Sequence, residues 1–274
     1  MNSIKQVFVV LGLVIGCSFN AQSQDREQLS VELSNPTKEG ILKLNLVTGS
    51  IKVIGYEGKE VLIDAISSER NERRSKERAD GMRRIQTTSG FELLAKEANN
   101  TVNVSVDKVN LKVLVTVRVP RRFSLKLSTV NEGDIFVENV IGNIEVSNVN
   151  GAIRLKNVAG AVVANTVNED VVVNLLTITP NTPMAFTTLN GNVDVSFPAS
   201  AKANLKFKTD MGEIFSDFDL DVEKNVAPPK QSINKEKGLY KIQKDDWTHA
   251  KINRGGAEIM LKSFNGNIYI RKTN

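Results

Sequence analysis

Residues 133–167 read GDIFVENVIGNIEVSNVNGAIRLKNVAGAVVANTV, and a nine-residue period runs through them. Gly133, Gly142, Gly151 and Gly160 open four successive units. Two positions after each glycine stand Ile135, Ile144, Ile153 and Val162; four positions after stand Val137, Val146, Leu155 and Ala164. The seventh position is Val140, Val149, Val158 and Val167, and in three units the sixth is asparagine: Asn139, Asn148 and Asn157. On a strand, residues two apart point to one side. The second and fourth positions therefore make an inward apolar pair, and Phe136, Glu138, Glu145, Ser147, Arg154 and Lys156 point outward. Glycine and asparagine tolerate the left-handed backbone that turns a corner. A single nine-residue unit cannot bury its apolar side. Two units make an 18-residue coil, and stacked coils bury one continuous Val/Ile core. The predicted fold is an all-β solenoid.

Looser copies extend the pattern in both directions. Gly49 leads into Ile51 and Val53, Gly191 into Val193 and Val195, Gly212 into Ile214, and Gly266 into Ile268 and Ile270. The regular phase calls for glycine at 169, where Glu169 stands ahead of Val171 and Val173. Residues 99–119 alternate as two longer strands that Pro120 ends. The Thr179–Pro183 segment reads as a protruding loop. Two stretches break the rhythm. Residues 67–90 interleave basic and acidic side chains, the pattern of a short solvated helix or loop. Residues 221–250 are Lys-rich, contain Pro228-Pro229 and read as an insertion, partly disordered or hairpin-like, that interrupts the solenoid before its last coil. Terminal coils need protected edges. Strands within 29–66 are expected to cover one end, and Ile268 to Lys272 to put cations on the other.

Composition agrees with this reading. Apolar residues make up 41% of the 274 residues but aromatics only 5%, so β-branched side chains that suit a pleated surface dominate. The net charge of +5, or +4 once Lys5 is removed with residues 1–23, is too small and too evenly spread to imply nucleic acid.

The first residues read as an export signal. Lys5 precedes an apolar run from Val7 to Ile15, too short to span a bilayer. Ala21-Gln22-Ser23 offers a general cleavage site after residue 23. Val14-Ile15-Gly16-Cys17 instead has the form of a lipobox, which makes Cys17 the lipidation candidate; an uncleaved anchor is the third outcome. Cys17 is the only cysteine, so the mature fold contains no disulfide, in keeping with a bacterial envelope. The expected organisation is a signal peptide over 1–23 and a single β-solenoid domain over 24–274. The expected location is the periplasm, the outer membrane or the cell surface.

The run 143–160, NIEVSNVNGAIRLKNVAG, and the closing 263–272, SFNGNIYIRK, resemble the bacterial "putative adhesin" β-strand-repeat family. Residues 190–198 and 212–219 are similar to its middle segments, so the resemblance covers roughly residues 40–272. It implies a right-handed, β-helix-like solenoid in an exported protein, with no catalytic motif to transfer. Fold does not fix function.

Catalytic chemistry finds little support in the residues. His249 is the only histidine and has no nucleophile elbow beside it. Asn253-Arg254-Gly255-Gly256 reads as a turn and lacks the lysine of a phosphate loop. Asp217, Asp219 and Asp221 alternate with apolar residues. On one strand they would share a face, either as weak calcium ligands or as ordinary solvated polar positions. Asn139, Asn148 and Asn157 suit turn or stacked-amide roles, and Phe136 and Tyr269 are outward aromatics. The expectation is a binding or scaffold protein with no catalytic residues, no cofactor and no nucleic-acid partner. An unidentified glycan or protein at the envelope is its expected partner, and only a lipid on Cys17 would tie it to membrane. A polysaccharide-acting β-helix enzyme and a periplasmic structural or regulatory protein are the alternatives. An aligned carboxylate cluster on stacked coils would mark the enzyme.

Overall fold

The computed structural model describes residues 26–67, 90–223, 230–234, 239–243 and 247–273, and every regular element among them is a β-strand. The signal-peptide residues with Cys17, and the interior of the charged 67–90 stretch, lie outside the described residues.

The chain opens with β1 (Arg26–Glu32), β2 (Gly40–Asn45), β3 (Gly49–Tyr56) and β4 (Glu60–Ser67), followed by β5 (Leu93–Ala98), β6 (Thr101–Val106) and β7 (Val113–Pro120). The regular units form β8 (Phe123–Thr129), β9 (Ile135–Glu138), β10 (Ile144–Asn148) and β11 (Ile153–Gly160). They continue as β12 (Val162–Asn165), β13 (Val171–Ile178), β14 (Met184–Thr187) and β15 (Val193–Pro198). Last come β16 (Ala203–Met211), β17 (Ile214–Ser216), β18 (Asp221–Val222), the hairpin strands β19 (Lys230–Asn234) and β20 (Leu239–Gln243), β21 (Thr248–Ile252), β22 (Ala257–Asn265) and β23 (Ile268–Thr273).

Apart from the hairpin, these strands build two sheets. One has the order β1-β4-β7-β3-β9-β11-β13-β15-β23-β17, the other β18-β21-β16-β22-β14-β12-β10-β8-β2-β6-β5. Each coil contributes a strand to the second sheet and then one to the first. Read across the stack, the coils are β6/β7, β2/β3, β8/β9, β10/β11, β12/β13, β14/β15, β22/β23 and β16/β17, with parallel pairing throughout. In the middle the register is the predicted 18 residues: Ile135, Ile153 and Val171 lie opposite one another, as do Ile144 and Val162. Alternation puts the apolar side chains between the sheets. Ile135, Val137, Val146, Ile153, Val162 and Val171 are fully buried, and the three largest wholly enclosed side chains are Phe123, Phe186 and Phe197. The result is a solenoid-like stack of two-strand coils.

Two expectations need correcting. Residues 221–250 are not simply an interruption. Their two ends, β18 and β21, join the second sheet antiparallel, with Ala250 and Ile252 of β21 buried on its core side and β19–β20 forming an antiparallel pair between them. The final segment does not form the edge. β23 is inserted between β15 and β17, because Ile268 and Ile270 complete the core beside Val193 and Val195. The end cap expected within 29–66 is present: β1 and β4 run antiparallel along the outside of β7.

Candidate functional site

The corners of the stack set what its surface can offer. Gly49, Gly133, Gly151, Gly191, Gly266 and Gly212 stack at the corner where the chain passes from the second sheet to the first. A β-carbon on Gly133 would stand 1.9 Å from the carbonyl oxygen of Gly49, and one on Gly151 would stand 2.1 Å from that of Gly133. The same holds for Gly191 against Glu169 (2.2 Å), Gly266 against Gly191 (2.0 Å) and Gly212 against Gly266 (2.1 Å). Gly142 and Gly160 repeat this at the opposite corner. Left-handed backbone is therefore not the general reason for these glycines. Gly49, Gly160, Gly191 and Gly266 do have positive φ, but Gly133, Gly142, Gly151 and Gly212 are required by close approach of the neighbouring coil. At Glu169 the backbone takes φ 90° and the side chain turns out to solvent.

Beneath the glycines runs a ladder of polar side chains, buried in all but half-buried Thr209, that the sequence reading missed. Thr129 Oγ1 donates to the Gly49 carbonyl, Asn148 Nδ2 to Gly133, Thr166 Oγ1 to Gly151, Thr188 Oγ1 to Glu169, Ser263 Oγ to Gly191 and Thr209 Oγ1 to Gly266, at 2.7 to 2.9 Å. Each satisfies a corner carbonyl that the parallel ladder leaves over. Asn148 thus points inward. Asn139 and Asn157 instead take left-handed φ at the opposite corner and stack amide on amide at 3.3 Å.

The seventh-position valines also divide in two. Val140 and Val158 are fully buried, whereas Val149 and Val167 face outward at the glycine corner. There Val47, Val130, Val149, Val167, Leu189 and Phe264 form one ridge, tied by backbone N–H groups that step along it: Asn131 to Val47, Asn150 to Val130, Asn168 to Val149, Asn190 to Val167 and Asn265 to Leu189. Beside the ridge the asparagine side chains stack, with Asn168 donating to Asn150 at 2.8 Å and Asn190 to Asn168 at 3.0 Å. The signal lay in the sequence as a polar-polar-apolar-Asn run, in SNVN before Gly151, TTLN before Gly191 and KSFN before Gly266. Its period is 18 or more residues, hidden by the nine-residue one.

Outward charges of neighbouring coils meet in pairs: Lys126 with Glu145 (3.1 Å), Lys156 with Glu138 (2.8 Å) and Arg154 with Asp134 (2.6 Å). Phe136 lies under Lys52, whose Nζ is 5.5 Å from the ring centre. At the far end of the first sheet, Tyr269 stacks on Phe215 at 5.2 Å and takes the Arg271 guanidinium over its ring. Arg271 Nε donates to both oxygens of Asp194, and that hydrogen bonding raises the arginine further above its already high ordinary value. Phe215, Ser216, Asp217, Tyr269, Ile270 and Arg271 line a shallow groove there.

The three aspartates do not share a strand face. Asp217 follows β17 in the first sheet and accepts the Lys272 backbone N–H at 3.3 Å, while Asp221 opens β18 in the second. Between them Phe218 turns inward against Phe197, with ring centres 6.5 Å apart, and divides the run. Among the described residues no group of three or more His, Cys, Asp or Glu is placed to hold a metal ion. His249 sits in β21 opposite Lys206, and Asn253 to Gly256 form the expected turn, with left-handed φ at Asn253, Arg254 and Gly255.

The Toastrack DUF4097 family model matches residues 18–262. The chain belongs to this family. Residues 143–160, which resemble an adhesin-type repeat, lie within the matched span, and residues 263–272 of the Toastrack chain lie just beyond its end. No curated protein matches the sequence. A "putative cell adhesion protein" from Clostridium sporogenes ATCC 15579 is similar at 14% identity and a TM-score of 0.45, over 92% of the Toastrack chain and 100% of its own. A "putative adhesin" from Bacteroides fragilis NCTC 9343 is similar at 12% identity and a TM-score of 0.33, over 92% and 98%.

Proposed function

We propose that this protein is an exported, adhesin-like binding or scaffold protein of a bacterial envelope, without catalytic activity. The observation that carries the reading is how the outward side chains are used. From coil to coil in the regular units, carboxylates pair with lysines and arginines and amides pair with amides, so Asp134, Glu138 and Glu145 are spent along the stack instead of converging on a substrate. A glycoside hydrolase or lyase needs carboxylates gathered around one bond. A continuous stack of eight coils is what a binding scaffold needs, and at roughly 4.8 Å per strand the coils span about 34 Å. The chain is read as winding right-handed, the sense that parallel crossovers take almost without exception. Export follows from the leader over residues 1–23, either by cleavage after Ser23 or by lipidation at Cys17. A glycan or protein at the cell surface is the ligand class.

Protease shaving of intact cells, with mass spectrometry of the mature N-terminus, tests the proposal. Cleavage of the chain on intact cells is expected, with a start at Gln24 or an acylated Cys17. Complete protection together with a Gln24 start would place the protein in the periplasm and sink the adhesin reading.

A further inference from the structure

A narrow band along the ridged corner carries almost no charge, with Glu132 and Glu169 standing just beyond its asparagine column. The sequence carries 36 basic and 31 acidic residues. Yet the apolar ridge from Val47 to Phe264 is flanked on one side by Thr48 and the asparagines 131, 150, 168, 190 and 265, bridged coil to coil. On the other side stand the last outward residues of the second-sheet strands: Asn45, Ser128, Ser147, Asn165, Thr187 and Lys262. Across six coils this three-column band holds a single charge, Lys262, at one end. The ridge itself is open to solvent, with Val47 at 42%, Val130 at 40%, Leu189 at 46% and Phe264 at 41% exposure.

Two features narrow what can lie on it. Each asparagine amide has two N–H donors and two acceptor lone pairs. Asn150 and Asn168 each spend one of each within the ladder, leaving one donor and one lone pair on each of these two amides for other partners. The second feature is shape. Six coils at about 4.8 Å make the band ~24 Å long, and three residues along a strand make it only ~10 Å wide. That area is far below the roughly 800 Å² per partner of a stable protein interface. A slender ligand fits where a second protein chain does not. It must be uncharged, present apolar faces to the valines and hydroxyl or amide groups to both flanks, and repeat along its length. A sugar ring offers an apolar C–H face with polar groups at its rim.

We propose that this band binds an extended, uncharged polysaccharide lying along the stack axis. The proposal rests on the binding reading above and names its ligand class. Because it is tested on purified protein, its failure is distinct from failure of the exposure experiment.

The protein purified from the exporting cell is incubated with microcrystalline cellulose and with chitin, both extended and uncharged, and with polygalacturonate as a charged control. Binding to at least one neutral polymer and none to polygalacturonate is expected. V149K/L189K, which puts two lysines on the ridge in non-adjacent coils, one at half-buried Val149 and one at exposed Leu189, should lower the bound fraction at least tenfold. N168A, which cuts the ladder without adding charge, should lower it severalfold. T116K, on the outer face of the first sheet, should bind as the unmodified protein does. Thermal unfolding of all variants reports whether they fold. The proposal is overturned if neither neutral polymer is retained, if folded V149K/L189K binds unchanged, or if T116K loses as much as the ridge variant. Sedimentation showing a dimer that V149K/L189K dissociates would also overturn it, assigning the ridge to a second copy.

Discussion

A β-carbon added to Gly151 would meet the Gly133 carbonyl oxygen at 2.1 Å, and that oxygen belongs to backbone hydrogen-bonded on both sides. Neither coil can yield without breaking the register, so Gly151→Ala is expected to cost about 3 kcal/mol, the upper end of ordinary substitutions. Glu169 occupies the equivalent place one coil on and has the opposite problem. Its φ of 90° strains a side chain that points into solvent and contributes no contact. Glu169→Gly should therefore stabilise by about 1 kcal/mol, the usual penalty of left-handed backbone. The opposite signs at neighbouring rungs separate close approach from dihedral strain, and denaturant unfolding of the two variants measures both. Beneath them, Thr166→Val keeps the side-chain shape but leaves the Gly151 carbonyl without its 2.9 Å donor. A loss of about 1 to 3 kcal/mol is expected in the same assay, as for other buried acceptors left unpaired.

Strand β1 is held to the cap by pairing with β4 and by one ionic contact. Its residues are almost all exposed, and Arg26 grips Asp64 through Nε at 2.7 Å and Nη2 at 2.9 Å. The hydrogen bonding from Arg26 holds the Asp64 carboxyl below its ordinary value. With the folded pKa depressed, the unfolded chain binds more protons as pH falls below about 4. The contribution of the contact is then present above that range and is lost as pH falls through the folded value. Hydrogen exchange of β1 amides should therefore speed up, relative to β4, between neutral pH and pH 3, and Asp64→Asn should remove that pH dependence. Equal protection of β1 at both pH values would show that backbone pairing alone holds the strand. At this scale the sequence was most readable. Period-two alternation with a fixed glycine offset fixes strand, inward face and 18-residue register together. It does not distinguish the two kinds of corner, because Val140 and Val149 occupy the same place in a nine-residue repeat although one is enclosed and the other open. Only pairing between coils shows which asparagines stack. For that reason Asn148 was grouped with Asn139 and Asn157, while the ladder through Asn150, Asn168 and Asn190 was missed.

Across the whole molecule, chain order and spatial order disagree at both ends. The β6/β7 coil lies outside β2/β3, and the last coil in sequence, β22/β23, is enclosed between β14/β15 and β16/β17. No local pattern announces this, because β23 carries the same Gly-Asn-Ile-x-Ile grammar wherever its coil sits. The exchange does change what the chain termini are worth. In a simple repeat array, removing the last unit trims an end and leaves the other units paired. Here, ending the chain at Asn265 removes Ile268 and Ile270 from the core and strips β15 and β17 of their shared partner, splitting the first sheet. Such a truncation is expected to lose cooperative unfolding altogether. Deleting residues 26–32 instead removes an exposed edge strand that pairs with β4 alone and should leave a sigmoidal denaturation curve at a modestly lower midpoint. Circular dichroism against denaturant compares the two directly. If the chain ending at Asn265 unfolds as cooperatively as the one lacking β1, then β16 and β17 close onto β14 and β15 without the last coil, and the enclosed position of β23 contributes nothing to holding the stack together.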